Sequence, residues 1–142
     1  MRRRVENLQR TNPRFEWLGE LPRRRALAVL SRSHLLVLTS KMEGGANAVC
    51  EALALGVPIL SARIGGTVGI LGPTYPGYFP VRDTAALARL LEKIESSPQF
   101  LMRLHRAVAR RAHLFRPARE KAAWKKLIRE IAPRSRSKTG RD

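Results

Sequence analysis

Two carboxylates eight positions apart, Glu43 and Glu51, bracket the segment Glu43-Gly-Gly-Ala-Asn-Ala-Val-Cys-Glu51. Gly44 and Gly45 let a backbone approach a ligand with no side chain in the way. A helix beginning near Ala46 offers unpaired amides and the positive end of its dipole, a ready site for an anion such as phosphate. Glu51 follows Asn47 by four residues, so the two share a helix face one turn apart. A carboxylate there can accept hydrogen bonds from two adjacent hydroxyls, as a ribose presents them. Glu43, before the glycines, can accept from hydroxyls on the other side of the phosphate. Sugar, phosphate and ribose in a row describe a nucleotide-sugar. Two blander readings stay open on spacing alone: Glu43 as a helix cap, and Glu51 paired with an arginine.

Other residues with chemistry are fewer. Arg63 precedes a second glycine-rich stretch, Ile64-Gly65-Gly66-Thr67, and can either neutralise phosphate or stay solvated. His34, His105, His113 and Cys50 are not spaced as metal ligands, so no metal site is expected. Cys50 falls on an apolar stripe and reads as a small filler. Tyr75-Pro-Gly-Tyr78 reads as a rigid turn more readily than as a stacking platform.

These residues need elements to hold them. Phe15, Trp17 and Leu18 predict a short strand closed by Gly19, and Pro22 a helix whose buried stripe is Ala26, Leu27 and Leu30. His34–Thr39 is an apolar run, the mark of a strand covered on both faces. Ala46, Val49, Cys50, Leu53 and Ala54 follow the helical period, and Gly56 supplies a left-handed stop. Val57–Ala62 predicts a second buried strand, residues 64–77 a glycine-rich loop, and Tyr78–Val81 a third strand. Asp83 caps a helix bearing Leu87, Leu90, Leu91 and Ile94. Ser97-Pro98 opens another, with Leu101, Leu104, Val108 and Ala112 on one face. Pro117 begins a last helix, with Trp124, Leu127, Ile128 and Ile131 packing it on the core, and Pro133 ends it. Strands alternating with helices predict an α/β fold with a parallel sheet, whose ligands sit at the carboxyl ends of strands. Residues 40–46 and 63–72 leave such ends.

The chain has 142 residues, with 28 Lys or Arg against 11 Asp or Glu, for a net charge of +17. The hydrophobic fraction of 44% excludes pervasive disorder, and no apolar run is long enough for a membrane span. A single cysteine excludes an intrachain disulfide, and a cytoplasmic location is expected. The charge admits an anionic partner. However, basic residues gather at Arg2–Arg4, Arg23–Arg25, Arg103–Arg129 and Arg134–Arg141, and no nucleic-acid recognition motif accompanies them. Nucleic acid is therefore not expected, and weak contact with an anionic membrane through the 110–126 basic face is the alternative to plain solvation. The tail 133–142 reads as basic and disordered.

Glu43 and Glu51 in this setting resemble the E-x7-E motif of the retaining GT4-type GT-B glycosyltransferases. A hydrophobic strand ends in Thr39-Ser40, then come Glu43-Gly44 and "EALALGVPIL". The resemblance implies a Rossmann-like C-terminal donor domain that binds a UDP-sugar and needs no cofactor. It implies that Glu43, the candidate catalytic residue, contacts the donor sugar. It also implies that Glu51 binds the ribose, and that the amides of Ala46, Asn47 and Ala48, beside Gly44 and Gly45, hold the diphosphate. Gly65, Gly66 and Thr67 are implied to lie beside the donor. Many members carry a glutamate after that glycine pair, where this chain has Val68-Gly69-Ile70-Leu71-Gly72. "KMEGGANAVCEAL", "ARIGGTVGILG" and "YPGYFPVRDTAALARLL" are similar to a smaller branch, the selenosugar synthases of selenoneine biosynthesis. That branch implies selenophosphate as acceptor and gives Arg63 a second anion to meet.

The resemblance covers about Asn12 to Ile131. A GT-B enzyme carries a first Rossmann-like domain as well, and nothing here resembles it. If residues 14–19 are the third strand of the donor domain, its first two strands are also absent. The expectation is a partial donor domain over residues 1–132, truncated at its N-terminus and inactive without its missing partner domain. The rivals are a GT4-type enzyme with a hydroxyl acceptor and a basic, non-enzymatic module for nucleic acid or membrane.

Overall fold

The computed structural model describes residues 2–43, 46–115, 121, 124, 125 and 127. The elements run α1 (Arg2–Thr11), α2 (Arg23–Ser31), β1 (Leu36–Leu38), α3 (Asn47–Leu55), β2 (Ile59–Ala62), α4 (Gly65–Leu71), β3 (Tyr78–Phe79), α5 (Thr84–Ser96) and α6 (Pro98–Ala112). A 3-10 turn follows at His113–Phe115. The described strands form one parallel sheet in the order β1-β2-β3, with Leu36 opposite Ile59 and Ser61 opposite Tyr78. This is the α/β alternation that the sequence predicts.

The core forms where the two most apolar elements meet. All four residues of β2 are buried, and α3 contributes Val49, Ala52 and Leu53. From the other side α6 adds Phe100, Leu104, Ala107 and Val108. The helices α2, α4 and α6 pack on α3, and α5 packs on α6. Gly56 ends α3 at φ 73°, the left-handed geometry that glycine adopts without strain. Asp83 accepts from the Ala86 amide at 2.7 Å, and the Ser97 hydroxyl oxygen from the Phe100 amide at 3.3 Å, so α5 and α6 start where their caps predict.

The Tyr75 turn supplies a missing neighbour for β2. The Ser61 amide bonds to the Gly77 carbonyl on the β3 side. Ile59, two residues earlier, faces the same way, but β3 has not yet begun there. The Tyr75 hydroxyl fills the gap, donating to the Ile59 carbonyl at 2.7 Å and accepting from its amide at 3.1 Å. Tyr78 meets Tyr75 edge to face at 5.5 Å, and its hydroxyl lies within hydrogen-bond distance of the carbonyls of Thr67 and Gly72, between which its one proton is shared. Both tyrosines thus serve the turn.

Five expectations are corrected. Phe15–Leu18 forms no strand, and Trp17 and Leu18 are exposed. A strand depends on ladder partners, and no described strand lies beside this one. The strand β1 is not covered on both faces: it stands at an edge of the described sheet, and Val37 is exposed. In α2, Ala26 is exposed and only Leu27 and Leu30 are half-buried. The 64–77 stretch is not a loop throughout, because it contains α4. Trp124 and Leu127, expected to pack on the core, are 58% and 44% exposed. Pro117, Ile128, Ile131, Pro133 and the tail 133–142 lie outside the described residues.

Candidate functional site

The chain leaves β1 at Leu38 and turns through Ser40, whose hydroxyl donates to Glu43 Oε1 at 2.6 Å. That bond orients a half-buried carboxylate from within its own loop. Gly44 and Gly45 lie outside the described residues. The chain resumes at Ala46, 2% exposed, which caps α3 with its backbone: its carbonyl accepts from the Val49 and Cys50 amides at 2.9 and 3.1 Å. No side chain caps this end. The amides at the helix start, Asn47 and Ala48, have no acceptor within the helix. Asn47 is exposed and Ala48 half-buried, so the positive end of α3 is reachable.

Glu51 lies one turn further along α3, with its side chain 29% exposed. Arg23, at the start of α2, holds Glu51 Oε1 through Nε and an NH2 group, each at 3.3 Å. Arg23 itself is 81% exposed. The open reading of Glu51 as an arginine partner is therefore met in this structure. A pair whose guanidinium is mostly exposed contributes about 0–1 kcal/mol and exchanges readily. Sequence reasoning did not identify Arg23, because the pair spans 28 positions. The available signal was that α2 leads into β1, and β1 into α3, so neighbouring helices could meet.

The second glycine-rich stretch reaches the first through Gly66. A Cβ built there would lie 2.5 Å from the Glu43 carbonyl oxygen, so the position accepts no side chain without movement. Gly65 is exposed. Thr67 is fully buried, and its hydroxyl lies within hydrogen-bond distance of the Ala62 carbonyl at 3.0 Å and the Ile64 carbonyl at 3.1 Å. It also accepts weakly from the Ile64 amide at 3.4 Å. Its side chain is buried and shapes the turn into α4. Arg63 donates to the Pro73 carbonyl at 3.1 Å and lies 5.2 Å from the Tyr78 ring centre. Those partners hold its guanidinium against the turn that follows α4.

Cys50 is half-buried, and burial, then the neighbouring Glu51, push its thiol up. A thiol so placed is a filler and not a nucleophile. Among the described residues no group of three or more His, Cys, Asp or Glu could hold a metal ion. No described helix is long and apolar enough to cross a membrane.

What the arrangement offers is one carboxylate in the loop before a helix start that no side chain caps and a second one turn into that helix, with Gly66 of α4 seated against the Glu43 backbone carbonyl. The family model of the glycosyl transferases, group 1, matches residues 3–111. The chain belongs to this family. Among solved structures, this glycosyl transferase domain is similar to the sucrose-phosphate synthase of Thermosynechococcus elongatus, with a TM-score of 0.76 and 24% identity. The alignment covers 92% of this chain and 34% of that one, so the chain spans about a third of the relative's length. At that identity the likeness establishes the fold, a GT-B C-terminal domain. No curated protein matches the chain.

Proposed function

We propose that the chain is the donor-binding part of a GT4-type glycosyltransferase and binds a UDP-sugar across the start of α3. The observation that carries this reading is the pair of half-buried carboxylates, Glu43 in the loop before α3 and Glu51 one turn into it, about a helix N-terminus that no side chain caps. The amides of Ala46, Asn47 and Ala48, with Gly44 and Gly45, hold the diphosphate. There they stabilise the charge that develops as the glycosidic bond to phosphate breaks. Glu51 accepts hydrogen bonds from the ribose hydroxyls when Arg23 swings out, and Glu43, held by Ser40, positions the sugar. Gly65 and Gly66 let α4 close on that side, and Thr67 fixes the turn. Arg63 would have to leave Pro73 and Tyr78 to reach phosphate or selenophosphate.

Within this reading selenophosphate is the acceptor, on the strength of the resemblance of three segments to selenosugar synthases. It attacks the anomeric carbon through selenium, and UDP leaves. No metal or cofactor takes part in donor binding, and the acceptor is held by a first Rossmann-like domain. The site works in the cytoplasm.

The test is calorimetric titration of the chain with UDP. Saturable binding, lost at least tenfold in Glu51→Ala, is expected. Binding to any DNA that falls steeply with salt and ignores Glu51 would overturn the donor reading in favour of a basic module. The acceptor is tested separately by mass spectrometry of mixtures containing a UDP-hexose, selenophosphate and a first GT-B domain supplied in trans. Selenosugar supports it. Transfer to a hydroxyl compound instead overturns the acceptor and leaves the donor site standing.

A further inference from the structure

A cavity of about 310 Å³ opens at the other end of α4 from Gly66. It is lined by Leu71, Thr74, Tyr75, Pro76, Ala107, Arg110 and Arg111. Its volume is at the lower end of the range for small-molecule sites. Arg110 and Arg111 both line it, and no carboxylate is among its lining residues. Neither arginine forms an ion pair with a described residue. Two basic side chains at one opening, with no carboxylate beside them, suit an anion.

Arg111 is also seated. Gly72 stands at φ 86°, and a Cβ there would collide with the Arg111 guanidinium. The glycine therefore leaves the space that the planar head occupies. Its backbone is pinned in turn, because the Tyr78 hydroxyl donates to the Gly72 carbonyl at 3.0 Å. Arg111 is half-buried where Arg110 is exposed. The remaining walls divide by chemistry. Thr74 offers a hydroxyl. Leu71, Pro76, Ala107 and the Tyr75 ring are apolar, and the Tyr75 hydroxyl is already bonded to Ile59.

We propose that this cavity binds a small phosphate monoester, with Arg110 and Arg111 on the phosphoryl group and the apolar walls on its carbon skeleton. The guanidinium fork suits phosphate oxygens better than a point charge does. The space exceeds what a bare ion needs. The site shares no residue with the donor site and does not depend on that reading.

The test follows the side-chain Nε–H resonances of Arg110 and Arg111 in the 142-residue chain at fixed ionic strength. Glycerol 3-phosphate is the probe, with inorganic phosphate and chloride beside it. The expected result is saturable shifts at both arginines with glycerol 3-phosphate, weaker ones with inorganic phosphate and none with chloride. Arg111→Gln should weaken binding at least tenfold, and Arg111→Lys should restore it only in part. Glu51→Ala should leave it unchanged. Arg110→Gln, on an exposed residue, gives the same reading should Arg111→Gln fail to fold. Shifts that rise linearly, or saturable binding that survives both Gln variants, would overturn the proposal.

Discussion

Gly66 rests against the carbonyl of Glu43, close enough that a Cβ there would lie 2.5 Å from the oxygen. The contact ties the loop after β1 to the first turn of α4. Gly66→Ala must push one of them away, and the obstructing atom is backbone, which cannot rotate aside. We expect a loss of stability of about 1–3 kcal/mol, as for overpacking. A loss of UDP affinity of at least tenfold should accompany it. Denaturant unfolding and calorimetry check the two effects. Gly65→Ala, where a Cβ would meet nothing within 4 Å, is the control for stability and should change it little.

The Arg23–Glu51 pair separates stability from binding. Removing Arg23 should alter stability by less than about 1 kcal/mol, because its own side chain is mostly exposed. It also frees Glu51 Oε1 for a hydroxyl. Arg23→Gln should therefore bind UDP as well as or better than the parent, while Glu51→Ala binds at least tenfold worse. Titrating both variants reads the difference directly. Equal losses in the two would mean that Arg23 itself contacts the donor.

Much of this was legible beforehand, and the failures have physical causes. Gly56, Asp83 and Ser97 specify helix ends through local backbone geometry, which sequence carries in full. The helix α4 was hidden because Gly65, Gly66 and Gly69 each disfavour a helix by about 1 kcal/mol relative to Ala. The turn is held by Thr67 bonding back to Ala62, a contact set by the position of β2. Phe15–Leu18 has the composition of a strand, but pairing is decided by neighbours that composition does not name. At the site, Glu43 and Glu51 were legible from spacing. Arg23 and the Gly66 contact were not, since both join segments far apart in the chain.

Cys50 gives a chemical check on burial. Its thiol is pushed up by desolvation first and by Glu51 second. Less thiolate is then present at neutral pH than in a free cysteine. Alkylation by iodoacetamide at pH 7.5 should be slower than that of the unfolded chain. The difference should narrow, without vanishing, in Glu51→Ala, because burial persists. Mass spectrometry of timed samples measures both.

Tyr75 sets the alkaline limit of the fold. Burial raises its hydroxyl well above the ordinary value of about 10, and burial raises Tyr78 as well. A group whose folded pKa exceeds its unfolded pKa contributes stability in full below the unfolded value and loses it as pH climbs toward the folded one. Stability should therefore be flat in this respect up to about pH 10 and fall above it. Tyr75→Phe removes the hydroxyl that satisfies both backbone groups of Ile59, a buried residue. Two buried polar groups left unpaired cost about 1–3 kcal/mol each, less what entering water recovers. The variant should be markedly less stable at pH 8, yet decline less steeply between pH 10 and 12 than the parent. Urea midpoints taken across that range measure both effects. A decline as steep as the parent's would assign the alkaline transition to Tyr78 or to the lysines instead.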